Sequence, residues 1–143
     1  MQNIVSKINY IQERFAISNS YLANLLGYTP TCIRSIKSGR RVASTKFLTK
    51  LSNFFEIPID VLMDDKKELV IETTDNLPIN IRLMNIRINN GFTQSELSRA
   101  MKMPITTIAS MEKRNRTPSL NVMKAYSSFF KIPLLELFIG SKN

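Results

Sequence analysis

The chain reads as a mainly α protein made of two tandem five-helix domains, and three observations predict this. The phrase FFEIPIDVL at 54–62 returns as FFKIPLLEL at 129–137. Apolar residues recur at helical spacing through most of the chain, and helix-capping residues stand at the breaks between periodic stretches. The composition, 43% hydrophobic and 22% charged over 143 residues, suits one ordinary domain or two very small ones. It is too apolar for disorder.

Sliding the chain by 75 residues aligns 4–62 with 79–137 without a gap, and 15 of the 59 aligned positions are identical. Among them are Ile11 with Ile86, Leu22 with Leu97, Ile33 with Ile108, Ser35 with Ser110, Arg41 with Arg116 and Ser44 with Ser119. One gapless register over such a length predicts an internal duplication. The domains are expected at 1–64 and 78–143, with a connector at 65–77.

In the second copy the helices are expected at 78–90, 94–101, 105–113, 119–130 and 133–138. Thr93 and Glu96 form a capping box around the second of these, and Ser119 is placed to cap the fourth. In the first copy Thr29-Pro30 sets a capping hydroxyl before a proline at the first helical position, and Ser44 caps the fourth helix. One small core is expected from Leu83, Ile86, Leu97, Met101, Met103, Ile108, Met111, Leu120, Met123 and Phe130. The other collects Ile8, Ile11, Leu22, Leu26, Ile33, Ile36, Leu51 and Phe55. In the connector, the β-branched run at 70–74 breaks the helical pattern, and 69–74 reads as a short strand. Its partner would be the tail around Phe138-Ile139-Gly140 or the same segment of another chain, because a lone strand is unstable.

Charge and missing residue types narrow the function. Lys and Arg number 20 against 11 Asp and Glu, a formal charge of +9, with no histidine and a single cysteine. Histidine-based triads and His-bearing zinc sites are thereby excluded. Cys32 alone makes neither an internal disulfide nor a multi-cysteine metal site, which suits a reducing compartment. No Gly-rich phosphate loop or nucleophile motif is present, and Asp64-Asp65 beside Lys66-Lys67 reads as a solvated linker. The expectation is therefore no enzyme, no cofactor, no metal and no catalytic residues. Residues 1–68 hold ten basic and six acidic side chains and residues 69–143 hold ten and five, so both halves suit a polyanion. The beginning of the chain carries no apolar run of signal-peptide length, and no stretch approaches ~18 consecutive apolar residues. A soluble, cytoplasmic protein without membrane partners is expected.

From Gly91 the second copy runs GFTQSELSRAMKMPITTIASMEKRNRTPS. It resembles the helix-turn-helix domain of the phage repressor and Cro family, a lambda-repressor-like fold. The fit rests on Gly91, Thr93, Gln94, Glu96, Leu97, Thr107, Ile108, Glu112, Arg116, Pro118, Ser119 and Leu137. The first copy fits more loosely through Ser18, Leu22, Ala23, Gly27, Ile33, Arg41 and Ser44. The resemblance implies a structural ion pair between Arg87 and Glu112. Gln12 and Lys37 stand at those places in the first copy, which would leave Lys37 free to face a phosphate. Two further departures are Lys102, opposite Gly27 in the turn, and Pro104, where a capping hydroxyl is usual.

The family places its third helix in the major groove. The resemblance then implies groove-facing roles for Pro30, Thr31, Arg34 and Ser35, and for Ile105, Thr106, Ala109 and Ser110. Phosphate contacts would come from Asn19, Lys37, Ser38, Arg40 and Arg41, and from Gln94, Lys113, Arg114, Asn115 and Arg116. Arg34 is suited to a guanine edge, whereas Ile105 and Ala109 offer apolar contact to a thymine methyl. The expected partner is double-stranded DNA with two unlike half-sites, read by one chain acting as an internal pseudo-dimer or by a homodimer joined through the connector. The resemblance favours a transcriptional regulator of a phage, plasmid or conjugative element. Two alternatives stay open: an accessory factor at a plasmid origin of transfer, or an interaction module whose first copy only dimerises.

Overall fold

The computed structural model describes residues 3–73, 75, 77–114 and 116–140, and the described residues form ten helices and no strand. The chain divides into two compact units, Met1–Ile71 and Glu72–Asn143. Connector residues 65–71 therefore group with the first unit and 72–77 with the second.

The first unit holds α1 (Ile4–Phe15), α2 (Asn19–Leu26), α3 (Pro30–Lys37), α4 (Thr45–Phe55) and α5 (Ile59–Met63). Side-chain caps decide where four of them begin. Asn3 accepts from the Ser6 N–H at 2.8 Å, Ser18 from Tyr21 at 3.1 Å, Thr29 from Cys32 at 3.2 Å and Ser44 from Phe47 at 3.1 Å. Each bond satisfies one of the amides a helix start leaves without a partner, worth about 1 kcal/mol. Apolar positions three and four apart turn one face of each helix inward, where Ile8, Ile11, Leu22, Ile33 and Leu51 are fully buried. Phe15 stacks on Phe55 at 5.5 Å between ring centres and closes the core between the first and fourth helices.

The second unit holds α6 (Ile79–Asn89), α7 (Gln94–Met101), α8 (Ile105–Lys113), α9 (Leu120–Phe130) and α10 (Leu134–Ile139). The expected capping box forms: Thr93 Oγ1 accepts from the Glu96 N–H, and Glu96 Oε1 accepts from the Thr93 N–H, both at 3.0 Å. Ser119 caps α9 through Val122 at 3.3 Å. Leu83, Leu97, Ile108, Met123, Tyr126 and Leu137 are fully buried. Ile86, Met101, Met103 and Phe130, expected in this core, are only half-buried.

The strand expected at 69–74 does not form among the described residues, and Thr74 lies outside them. One of its two expected partners is also corrected, since Phe138 and Ile139 belong to α10. The segment instead docks on its own unit. Leu69 is buried, and the Ile71 N–H donates to the Tyr10 hydroxyl at 2.9 Å, so a side chain on α1 takes the place of a partner strand.

Sequence reasoning missed two buried cations. Lys7 on α1 is fully buried and donates to the Val61 carbonyl and, at 2.9 Å, to that of Asp64. Arg82 on α6 donates to the carbonyls of Leu137 and Phe138 at 3.0 and 2.9 Å, and to Asp75 at 2.5 Å. Each cation thus sits at the C-terminal end of its unit's fifth helix, where free carbonyls and the helix dipole favour positive charge. The available signal was a cation inside an apolar stripe at the same register in both copies.

Candidate nucleic-acid interface

In the first unit α2 and α3 are joined by Gly27, Tyr28 and Thr29. Gly27 takes φ 78°, a left-handed turn that glycine enters without steric cost. Cys32, Ile33 and Ile36 bury one face of α3. Thr31 and Arg34 are consequently exposed on the other face, with Pro30 and Ser35 half-buried beside them. Arg34 donates to the Thr31 hydroxyl at 3.1 Å across one turn, which holds the guanidinium along the exposed face. Beyond α3, Ser38, Arg40 and Arg41 are all exposed in a turn that pivots on Gly39 at φ 82°.

In the second unit Lys102, Met103 and Pro104 join α7 to α8. Lys102 takes φ 54°, the left-handed conformation that Gly27 takes in the first unit, at the cost of modest strain. Pro104 supplies no side-chain cap to α8. Ile108, Met111 and Glu112 are buried. Ile105 and Thr106 are exposed at the start of the helix, and Ala109 and Ser110 are half-buried one turn on. Lys113, Arg114 and Arg116 are exposed after the helix, whereas Asn115 lies outside the described residues.

Behind each exposed face lies a polar triad. In the second unit Arg87 grips Glu112 with both ends of its guanidinium, Nε to Oε2 at 2.7 Å and Nη2 to Oε1 at 2.9 Å. Its Nη1 donates to the Phe92 carbonyl at 2.8 Å, and Gln94 donates to Glu112 Oε1 at 2.9 Å. The fork-to-fork geometry fixes α8 against α6 and α7. Hydrogen bonding to the Glu112 carboxylate outweighs burial and pushes the Arg87 pKa still higher. Close to this pair, the Tyr126 hydroxyl is pushed up chiefly by burial.

The first unit builds the corresponding triad from different chemistry. Lys37 Nζ donates to Gln12 Oε1 at 2.6 Å and to Asn19 Oδ1 at 3.2 Å, and Gln12 Nε2 donates to Asn19 Oδ1 at 2.9 Å. Lys37, expected to stand free, is instead held by two amide oxygens at the place where the second unit has the Glu112 carboxylate. Asn19 and Gln94, both expected at phosphates, likewise belong to these triads.

Residues 83–137 match the helix-turn-helix family, a stretch that begins within α6, contains α7, α8 and α9 whole, and ends within α10. The match lies wholly within the second unit. Neither a curated protein nor a solved structure matches the chain. Among the described residues no helix is long and apolar enough to cross a membrane, and no cluster of three or more His, Cys, Asp or Glu side chains is placed to hold a metal ion.

Proposed function

We propose that this chain is a sequence-specific binder of double-stranded DNA that reads two unlike half-sites with two helix-turn-helix units. The observation that carries the reading is the exposed face of α3 and of α8, each flanked at its C-terminal end by an exposed basic turn. Helices of this width fit a major groove, and arginines beside them suit the phosphates on its rim. The offset of 75 residues supports a duplicated unit. Ser18 and Thr93 cap the second helices, Ser44 and Ser119 the fourth, and left-handed residues recur at Ala16 and Gly91, Gly27 and Lys102, and Glu56 and Lys131. Arg34 favours a guanine edge and Ile105 a thymine methyl, so the two half-sites differ. The biological setting proposed is transcriptional regulation in a phage, plasmid or conjugative element, or the marking of an origin of transfer. The protein acts by binding, without catalysis or cofactor, as a pseudo-dimer within one chain.

Selection of bound sequences from random duplex DNA tests this directly. An asymmetric site with two distinct half-sites is expected, with affinity falling steeply as salt rises because phosphate contacts dominate. Protection of one half-site only, or a flat salt response, would sink the proposal. A second reading, in which the first unit binds protein, draws on the exposed Ile59, Met63 and Val70 there. Charge reversal at Arg34, Arg40 and Arg41 separates the two: unchanged DNA affinity favours the protein-binding unit.

A further inference from the structure

The two triads hold corresponding positions but carry different charge. Arg87, Glu112 and Gln94 sum to zero, and the Arg87–Glu112 contact closes on itself with side chains only 11% and 4% exposed. Gln12, Lys37 and Asn19 sum to +1, and among the described residues Lys37 makes no ion pair with a carboxylate. An ammonium has three donors, and the two amide oxygens occupy two of them. The third N–H and the whole charge remain for an outside acceptor. Lys37 is half-buried and lines an open surface depression with Asn9, Gln12, Ser18, Asn19 and the exposed Glu13.

We propose that Lys37 is both a positioning residue for α3 and a contact to a DNA backbone phosphate, so that the first unit grips the backbone through one charge the second unit lacks. This rests on the DNA-binding reading and deepens it. The amides of Gln12 and Asn19 hold the ammonium at the junction of α1, α2 and α3, and a phosphate oxygen completes its coordination. Glu112 cannot do this: its carboxylate is consumed by Arg87 and repels phosphate. At this position the first unit then adds a salt-sensitive contact, and the second adds none.

Exchanging the triads tests the idea. The double variant Q12R/K37E rebuilds the second unit's pair in the first, and R87Q/E112K does the reverse. Each neutralised phosphate contributes about 0.9 to the slope of log affinity against log salt. Q12R/K37E is expected to lower the slope by about 0.9, so that a fourfold rise in salt weakens binding about 3.5-fold less than in the wild type. R87Q/E112K should raise it by a similar amount. K37Q, which keeps an amide donor without the charge, should match Q12R/K37E and serves if the exchanged triad does not fold by circular dichroism. K66Q removes one charge from the exposed linker and should leave the slope alone. Slopes unchanged from a steep wild-type value would overturn the role of Lys37 while leaving DNA binding intact. An equal drop in K66Q would overturn it too, by reducing the effect to general charge. A wild-type protein with no salt-dependent DNA binding would remove the underlying reading itself.

Discussion

The third helix of each unit is held at the same three places by opposite means. In the second unit an arginine and a glutamate neutralise each other in a nearly buried pair, with Gln94 as a third member. In the first, two amides and a lysine form a looser, charged arrangement. A paired ion fixes geometry through two parallel bonds but is costly to break, because the survivor is a buried charge. Amides contribute less and cost less when lost. The geometry of the third helix and the charge beside it are therefore separable properties.

The strongest way to break this contrast is Glu112→Ala set against Lys37→Ala. Glu112→Ala strands the Arg87 guanidinium and should cost about 3 kcal/mol. Lys37→Ala loses two bonds to amides and should cost about 1 kcal/mol. Amide hydrogen exchange, read separately over each unit, measures both, and equal losses would erase the distinction.

Next in size are the buried cations. Lys7→Met leaves two carbonyls at the end of α5 without a donor and should cost about 2 kcal/mol. Arg82→Met also abandons Asp75, and urea unfolding should show a loss larger by up to about 1 kcal/mol. A smaller loss for Arg82 would mean that the Asp75 contact contributes nothing.

The helix-joining turns should respond with opposite signs. A Cβ at Gly27 would meet only Lys50 Nζ, at an ordinary 3.7 Å, so Gly27→Ala pays a backbone cost of about 1 kcal/mol. Lys102→Gly relieves that cost but loosens the unfolded chain, for a net gain below about 1 kcal/mol in thermal unfolding. Destabilisation by Lys102→Gly would show that Lys102 carries no strain.

Smallest is the acid response of the second unit. The Thr93 backbone N–H, followed by its hydroxyl, holds the Glu96 carboxyl below its ordinary pKa. Burial opposes the same shift at Asp75, yet hydrogen bonds from Arg82 and the Leu77 N–H, with the Arg82 charge, carry it downward too. A carboxyl depressed by folding stabilises above its ordinary pKa and loses that contribution as pH falls toward the depressed value. Stability of the second unit should decline below about pH 5. Glu96→Gln keeps a capping amide and should flatten part of that decline in unfolding midpoints measured across pH; an unaltered acid limb would assign it to other groups.

Much of the fold was legible because its signals are local. The capping box at Thr93, the hydroxyls of Ser44 and Ser119, and the proline after Thr29 each act within a single turn, so helix boundaries could be read from neighbouring residues. The strand at 69–74 was misread because β-branched propensity is a weak local preference. The Tyr10 hydroxyl and the pocket for Leu69 override it. Of the candidate site, the outward residues of α3 and α8 were named from the family resemblance, position by position. The tie of Lys37 to Gln12 was not legible, because residues twenty-five apart in sequence had to meet before the Gln12 amide oxygen could accept a hydrogen bond from the ammonium.

By itself, then, the sequence determined the helical character, the 75-residue offset, the caps and the net positive charge, all of which depend on composition or on contacts within a turn. Tertiary structure alone decided where the charge goes. Lys7 and Arg82 are withdrawn inside to cap the ends of α5 and α10, and Lys37 keeps its charge against two amides at the edge of α3. The reason is physical: a charge's effect depends on its burial and its partners, and those are fixed only when distant segments pack.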